Sequence, residues 1–358
     1  MKKFIVFLTF IFFIKSFSQE KSKLNIFIDE RIETLYAIAN FDNYFLLSRH
    51  NTNNKIEINK KKYNQLKNNG AIKLFDSLTN KYDFNGYKPV EWILQFSNFP
   101  EFKKNRKIAD TINVESIAPE KKYLLKDFRN EILKFNQDSL FQKYLKSVKE
   151  VNEKATAEVK NSKTIDKLPQ FLEEYYGTKL FSYNLILSPF VHNGGFNAEL
   201  LNDKGQKEVY AIVGPNGEIN FTPVFDKEKI EKDLILHEFG HSFVNPLVYA
   251  NYTKIEKLKT KFYDEQLQRA GKDEGNGDWK SVFDELLLRA TTIKITEKYF
   301  GKESAKTLLE NENKVGYYLV EDFCKILDEY NINRKKYKKF GDFFPIFLER
   351  LNNEKFSK

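Results

Sequence analysis

Cysteine is almost absent from this chain: Cys324 is the only one in 358 residues. That excludes an intrachain disulfide framework and any cysteine-rich metal cluster. It also restricts any zinc to nitrogen and oxygen donors, the composition of a catalytic site more than of a structural one. Proline and glycine are sparse, at 9 and 15 residues, which excludes collagen-like and Pro/Gly low-complexity architecture. Histidine is scarcer still, with 4 in the whole chain, so any two of them at ligand spacing carry weight. No apolar run approaches the ~20 residues of a membrane-spanning helix, and no repeat recurs at a period of ~20–50 residues. What is abundant is core-forming material. Hydrophobic residues make up 41%, including 34 Phe and 19 Tyr, enough to bury the core of one large domain or two ordinary ones.

The formal charge of +9 has a partly local origin. Met1-Lys2-Lys3 is a basic start, residues 4–14 are apolar apart from Thr9, and Lys15 follows. This is the layout of a signal peptide, too short to span a bilayer. Ser16-Phe17-Ser18 puts small residues before a cut that leaves Gln19 as the mature start, and no cysteine stands there to take a lipid. Removing residues 1–18 takes away Lys2, Lys3 and Lys15 and no acid, so +9 becomes +6. Export to the periplasm or the extracellular space is therefore expected, with no membrane span in the mature chain. The remaining basic runs, Lys60-Lys61-Lys62 and Arg334-Lys335-Lys336, sit among Asn and Glu residues and read as solvated faces. With no RRM, zinc-finger or helix-turn-helix pattern beside them, nucleic acid is not an expected partner.

Periodicity divides the mature chain into a helical region over 19–165 and a second region over 166–358. In the first, apolar residues recur at helical spacing around Ile32-Tyr36-Ala39, Val90-Ile93-Leu94, Tyr123-Phe128-Ile132 and Leu140-Tyr144-Val148. Residues 151–166 are polar and read as a helix end or a linker. In the second, Phe181, Tyr183, Leu185 and Leu187 alternate with polar residues, predicting a half-buried strand. Strands over 196–201, 208–213 and 218–221 follow, separated by Asn202-Asp203-Lys204-Gly205 and Pro215-Asn216-Gly217. Turns this short predict antiparallel neighbours. The expected fold is α+β and mainly helical: a small antiparallel sheet set between helical blocks, with a long helix leaving it.

That helix carries His237-Glu238-Phe239-Gly240-His241. Positions i and i+4 share a helix face, so His237 and His241 can hold one metal ion, while Glu238, turned off that axis, can serve as general base. Asp226 or Glu228 suits the helix N-terminal end, and Pro246 is expected to stop it after Asn245. Gly240 costs the helix ~1 kcal/mol relative to Ala, which suggests a close packing partner. A catalytic zinc needs a third protein ligand. The metzincin pattern is excluded, because Val244 and Leu247 stand where it requires Gly and His, and the other histidines, His50 and His192, lie upstream. The strongest candidate is Glu285, in a segment apolar on nearly every side (Val282, Phe283, Leu286, Leu287, Leu288, Ala290), where a buried Asp284-Glu285 pair needs a partner. Zinc is one partner, with Asp284 or Arg289 supporting it. An i, i+4 ion pair of Glu285 with Arg289 is another. Asp284, Glu274 and Glu265 are alternative ligands.

An HExxH helix followed by a carboxylate-bearing helix resembles the gluzincin metallopeptidases, in which an acidic or amide residue often precedes the ligand Glu, as Asp284 precedes Glu285. The export signal, the strand block and the segment around Glu285 are also similar to a family of secreted bacterial zincin-like proteins known as a domain of unknown function. The resemblance covers about residues 180–295. It implies a zincin-like core over 166–358 and Zn2+ held by His237, His241 and Glu285. It also implies Glu238 as the base toward a zinc-activated water, and a peptide or protein substrate. Tyr317, Tyr318 and His192 are the candidates to hold the oxyanion. In zincins an edge strand aligns the substrate, a part open to the strand after Gly194-Gly195, although Asn193-Gly194-Gly195 also reads as a plain turn. One departure stands out: thermolysin-like enzymes place an Asp four residues after the ligand Glu, and this chain has Arg289. The expected function is an exported zinc peptidase, and the alternative is a catalytically silent zincin-like binding or scaffold protein. Cys324, between Phe323 and Ile326, reads as a buried structural thiol.

Overall fold

The computed structural model describes residues 22–44, 60–86, 88–108, 122–220 and 222–353. The expected signal peptide and His50 lie outside the described residues. Strands, and helices of seven residues or more, are numbered in chain order.

Five strands form the main sheet: β1 Lys23–Phe27, β2 Lys107–Ile108, β3 Ser182–Leu187, β4 Gly195–Leu201 and β5 Lys207–Val213. Their order is β1-β3-β5-β4-β2. β3 is parallel to both β1 and β5, whereas β4 is antiparallel to β5 and β2. The sheet is mixed, which corrects the antiparallel arrangement expected from turn lengths. That rule holds where the turn is tight. Between β4 and β5, Asn202 Oδ1 accepts from the amides of Lys204 and Gln206, each at 2.9 Å, and Gly205 takes φ 72°. It fails between β3 and β4, because residues 188–194 carry the chain past the end of β5, which then inserts between them. The strand expected over 218–221 does not join the sheet either. β6 Gly217–Ile219 pairs with β7 Thr222–Val224 in a hairpin of its own, and Phe221 lies outside the described residues.

Helices cover both faces. On one side pack α1 Glu30–Asp42, α2 Gly70–Lys81, α3 Lys88–Leu94, α4 Lys122–Gln137 and most of α5 Ser139–Lys160. On the other pack α6 Leu168–Tyr176, α7 Ile235–Ala250, α8 Glu265–Asp273, α9 Trp279–Phe300, α10 Lys302–Val315, α11 Val320–Ile332 and α12 Phe340–Asn353. Alternation along the strands sorts side chains between two cores. Tyr183, Leu185, Leu187, Val209 and Ala211 join the C-terminal helices, while Ile186, Ala198, Leu200, Tyr210 and Ile212 join the N-terminal ones. β3 is thus buried throughout, not half-buried. Its polar residues are accommodated by bonds within the sheet: Asn25 Nδ2 donates to Asn184 Oδ1 at 2.9 Å, and Asn184 Nδ2 donates to the Val209 carbonyl at 3.2 Å. The sheet draws on both sides of position 165, since β1 and β2 precede it.

Residues 151–160 continue α5, which Asp138 caps by accepting from the amides of Leu140 and Phe141. Asp226 caps the turn Lys227–Lys229 that leads through a π-helical segment, Ile230–Leu234, into α7. The π turn frees a carbonyl, and Thr296 Oγ1 of α9 donates to it at Lys232 over 2.6 Å. Contrary to expectation, α7 runs through Pro246 to Ala250. Proline's fixed φ suits a helix, and its cost is one missing hydrogen bond and ring crowding. Val244 and Val248, both fully buried on either side of it, hold the helix in place. Cys324 is buried in the C-terminal core, its Sγ 3.7 Å from the Ala290 carbonyl. No described helix is long and apolar enough to cross a membrane.

Candidate metal centre

His237 and His241 stand one turn apart on α7, their ring centroids 5.2 Å apart. α9 passes close alongside because Gly240 has no side chain. A Cβ there would lie 2.5 Å from Leu288 Cδ1 and 3.3 Å from Tyr176 Oη. Glu285, one turn before Leu288, is thereby brought against both imidazoles. Its Oε2 lies 3.4 Å from His237 Nε2 and its Oε1 lies 3.8 Å from His241 Nε2. One ligand atom from each of the three residues falls within 4.8 Å of the others. Donors around a tetrahedral zinc, at bonds of ~2.0–2.2 Å, stand ~3.3–3.6 Å apart. Two imidazoles and a carboxylate, with no thiolate, are a donor set that could hold that ion. All three side chains keep 12–15% of their surface exposed, so the group is reachable.

Glu238, whose charge is felt at His237, is turned toward the start of β4. A Cβ at Gly195 would stand 2.6 Å from Glu238 Oε1, so the absence of a side chain at 195 gives the carboxylate its room. On the same dipeptide, His192 Nε2 would lie 3.2 Å from a Cβ at Gly194. His192 is 3% exposed and meets Phe196 edge-on, with ring centroids 5.3 Å apart.

The electrostatics of the four residues differ sharply. Burial raises Glu238 to about 7, with the His237 charge opposing. Burial drives the His241 imidazole down to about 4, so it is neutral. Burial also works against a charged His237, but Glu285, by charge and hydrogen bond, together with Glu238, overcomes it and lifts the imidazole to about 9. Glu285 is held below the usual carboxylate range in spite of burial by His237, Arg289 and His241. The metal-free centre is thus an imidazolium–carboxylate pair: one proton on His237 supplies the positive charge that a cation would bring.

Behind these three residues, His237, His241 and Glu285, stand two supports. Asn245, one further turn along α7, lies 3.0 Å from His241 Nδ1 and beside Asp284. With its nitrogen turned toward Asp284 it donates to Oδ2 at 2.9 Å. With its oxygen there, it accepts from His241 Nδ1–H, and a protonated Asp284 then donates to it. Burial and the Glu285 charge raise Asp284 well above the carboxylate range, which favours the second arrangement. That arrangement also leaves His241 Nε2 as the free ligand atom. Asn245→Leu is therefore expected to weaken zinc binding by about 10–100-fold, read by competition with a chromophoric chelator. Unchanged affinity would remove Asn245 from the site.

The second support is Arg289. Its Nη1 pairs with Glu312, its Nη2 meets Glu274 at 2.7 Å and Glu285 at 3.3 Å, and its guanidinium lies 4.2 Å from the Tyr317 ring centroid. The ion pair considered as an alternative to metal binding is therefore present, but it shares Glu285 with the histidines.

The other candidates are distributed around this core. The Tyr317 hydroxyl donates to Glu274 Oε2 at 2.7 Å, so it braces Arg289 from behind. The Tyr318 hydroxyl donates to Asp264 Oδ2 at 2.6 Å, outside the centre. Glu274 belongs to the Arg289 cluster, and Glu265 is 92% exposed and pairs with Arg269, at 3.9 Å. Asp284 supports His241 through Asn245. Sequence reasoning passed over Asn245, although its i+4 offset from His241 was a usable signal, and over Glu312, which had none. It also passed over Tyr36 on α1, a buried phenol with no hydrogen-bond partner among the described residues, raised by burial and by the Glu238 charge.

No curated protein and no solved structure gives a match to this chain. A family does, over residues 17–349, a span that contains every residue of the centre. The chain belongs to the family described as Domain of unknown function (DUF4932).

Proposed function

We propose that this protein is an exported zinc-dependent peptidase with a zincin-like core, whose centre is His237, Glu238, His241 and Glu285. The observation that carries the reading is the convergence of two imidazoles and one carboxylate within 4.8 Å, next to a buried glutamate that is not one of the three. A bound zinc supplies Lewis acidity, which makes water nucleophilic near neutral pH. The chain supplies the rest. His237, His241 and Glu285 hold the ion, with Asn245 and Arg289 orienting two of them. Glu238, raised to about 7, is suited to take a proton from water and return it to a leaving amine. β2 pairs only with Leu200 and Leu201, and the Glu199 backbone meets the Glu91 carboxyl of α3, so residues 195–198 of β4 keep an outer edge that no described strand covers. An extended peptide backbone added there would pass beside Glu238. Of the three oxyanion candidates, His192 is favoured by its place, against Gly194 and beside the Gly195 that meets Glu238.

The hydroxyls of Tyr317 and Tyr318, held by carboxylates, favour a second reading, a zincin-like binding protein that has kept the centre without the chemistry. Metal analysis of the purified chain and a peptide library read by mass spectrometry separate the two. The peptidase is expected to carry one zinc, to cleave, to stop on treatment with a chelator and to recover on addition of zinc. Stoichiometric zinc with no cleavage across the library would leave the binding protein.

A further inference from the structure

The edge of the sheet remote from the metal centre is built differently. β1 pairs with β3 on one side, and no other strand among the described residues takes its outer side. A cavity of about 840 Å3 lies against it. Ile26, Phe27 and Ile28 in succession all line this cavity. Neighbouring strand side chains point to opposite faces, and here Ile26 packs with the C-terminal core and Phe27 with the N-terminal one. A groove that meets both is looking at the strand from its edge, where backbone amides and carbonyls are on offer.

The opposite wall is α5. Leu145 and Val148 give it an apolar floor, and Lys143, Lys146 and Lys149 follow one another along the rim at three-residue spacing, on one stripe of the helix. All three are exposed. Lys143 and Lys146 pair with no acid among the described residues, and Lys149 meets only Glu153, at 4.0 Å. Three acids also line the groove, and they do not balance its four lysines, Lys143, Lys146, Lys149 and Lys160. Glu153 meets Lys149, and Glu30 accepts from Asn136 Nδ2 at 2.8 Å. Glu33 is buried, held by Ser188 and Asn152, and burial raises it to about 8, so it is protonated at neutral pH.

We propose that this groove binds an extended acidic segment of a partner protein as an added strand on β1, with its acidic side chains against Lys143, Lys146 and Lys149. Open, untwisted edges invite such pairing, and proteins that do not use them cover or blunt them. Backbone bonds to β1 would give affinity, alternate apolar side chains would enter the floor, and the lysine stripe would select charge. The surface is separated from the metal centre by β3 and β5 and stands independently of the catalytic reading.

The test uses the full chain and a fluorescein-labelled peptide of alternating Glu and Val, followed by anisotropy. It is expected to bind, to protect from hydrogen exchange the alternate β1 amides that do not bond to β3, and to lose at least ~tenfold affinity against K143E/K146E/K149E. That variant changes only exposed side chains and is expected to keep the parent's melting temperature. A peptide of the same sequence N-methylated at every residue is expected not to bind, because neither of its edges can donate to β1. No binding of the Glu/Val peptide, equal binding of a Lys/Val peptide, or indifference to the triple variant would overturn the proposal. Sedimentation in which the same variant turns a dimer into a monomer would overturn it in favour of a second copy on this edge.

Discussion

Glu238→Gln is expected to lower peptide hydrolysis by about 10²–10⁴-fold while zinc stays at one per chain. Glutamine keeps the volume that meets the start of β4, where a Cβ on Gly195 would come within 2.6 Å of Glu238 Oε1, so the local fold has no reason to change. What it loses is the capacity to take a proton. Because Glu238 is not among the three clustered ligand residues, metal content separates a failed base from a failed site. The pH profile gives a second readout. Burial raises Glu238 to about 7 in the metal-free chain, and a cation beside it pulls that value down. The parent should therefore lose activity as pH falls through about 7 or somewhat lower, and the residual activity of the glutamine variant should lack that limb. A variant as fast as the parent would refute the assigned role. A variant that has shed its zinc would instead make Glu238 a ligand.

The parts of the fold that could be read beforehand are those written in local periodicity. Ile32, Tyr36 and Ala39 are buried on α1, Phe128 and Ile132 on α4, and Tyr144 and Val148 on α5, as their 3- and 4-residue spacing requires. β1 is different. It has five residues, and its partner β3 lies more than 150 positions away, so nothing near it in sequence encodes the pairing or its parallel sense. The alternation in β3 pointed to a solvent-facing side. Ser182 and Asn184 instead line a cavity walled by Asn25, Arg106 and Glu208, where little of them reaches solvent, and Asn184 meets its hydrogen-bond needs within the sheet. A polar residue that finds its partners across a sheet looks, in one dimension, like a polar residue facing water.

The candidate site divides along the same line. The i, i+4 histidines are a local statement about one helix face. Glu285 was legible because an acidic pair in an apolar helix demands a partner, and the partners are there: His237 and His241 for Glu285, Asn245 for Asp284. Gly240 announced a close contact without naming Leu288 as its source. Arg289 looked from its spacing like a partner for Glu285 alone. Most of its charge is spent on Glu274 and Glu312, acids brought in by α8 and α10 from positions 15 residues before it and 23 after it. Tyr317 and Tyr318, adjacent in sequence, send their hydroxyls to different acids, Glu274 and Asp264. Which of two neighbouring tyrosines faces a site is decided by how a helix start is seated, and no local pattern records that.

The protonation pattern of the ligands leads to the second large effect. Zinc affinity is expected to rise about tenfold per pH unit between 7 and 9, about a hundredfold across the window, because binding one ion displaces one proton. The count follows from the three ligands. His241 is driven down to about 4 and Glu285 is held below the usual carboxylate range, so above pH 7 the one is neutral, the other ionised, and neither has a proton to release. His237, raised to about 9 by Glu285, does. Below about 7 Glu238 also holds a proton, which a nearby cation helps to expel, so the dependence should steepen there, and Glu238→Gln should remove the extra slope. Stability runs the opposite way in the metal-free chain. An imidazole whose folded value is above its unfolded ~6.5 adds stability that is complete below ~6.5 and is lost as pH rises through about 9. The gap in melting temperature between zinc-loaded and metal-free protein should therefore widen from pH 6.5 to 9. Glu285→Gln supplies the control: without the anion, burial pulls His237 down, zinc binds more weakly, and the slope between 7 and 9 should flatten. Chelator competition at several pH values measures all of these. A flat dependence in the parent would mean that His237 carries no proton to displace, and that Glu285 does not face it as an ion pair.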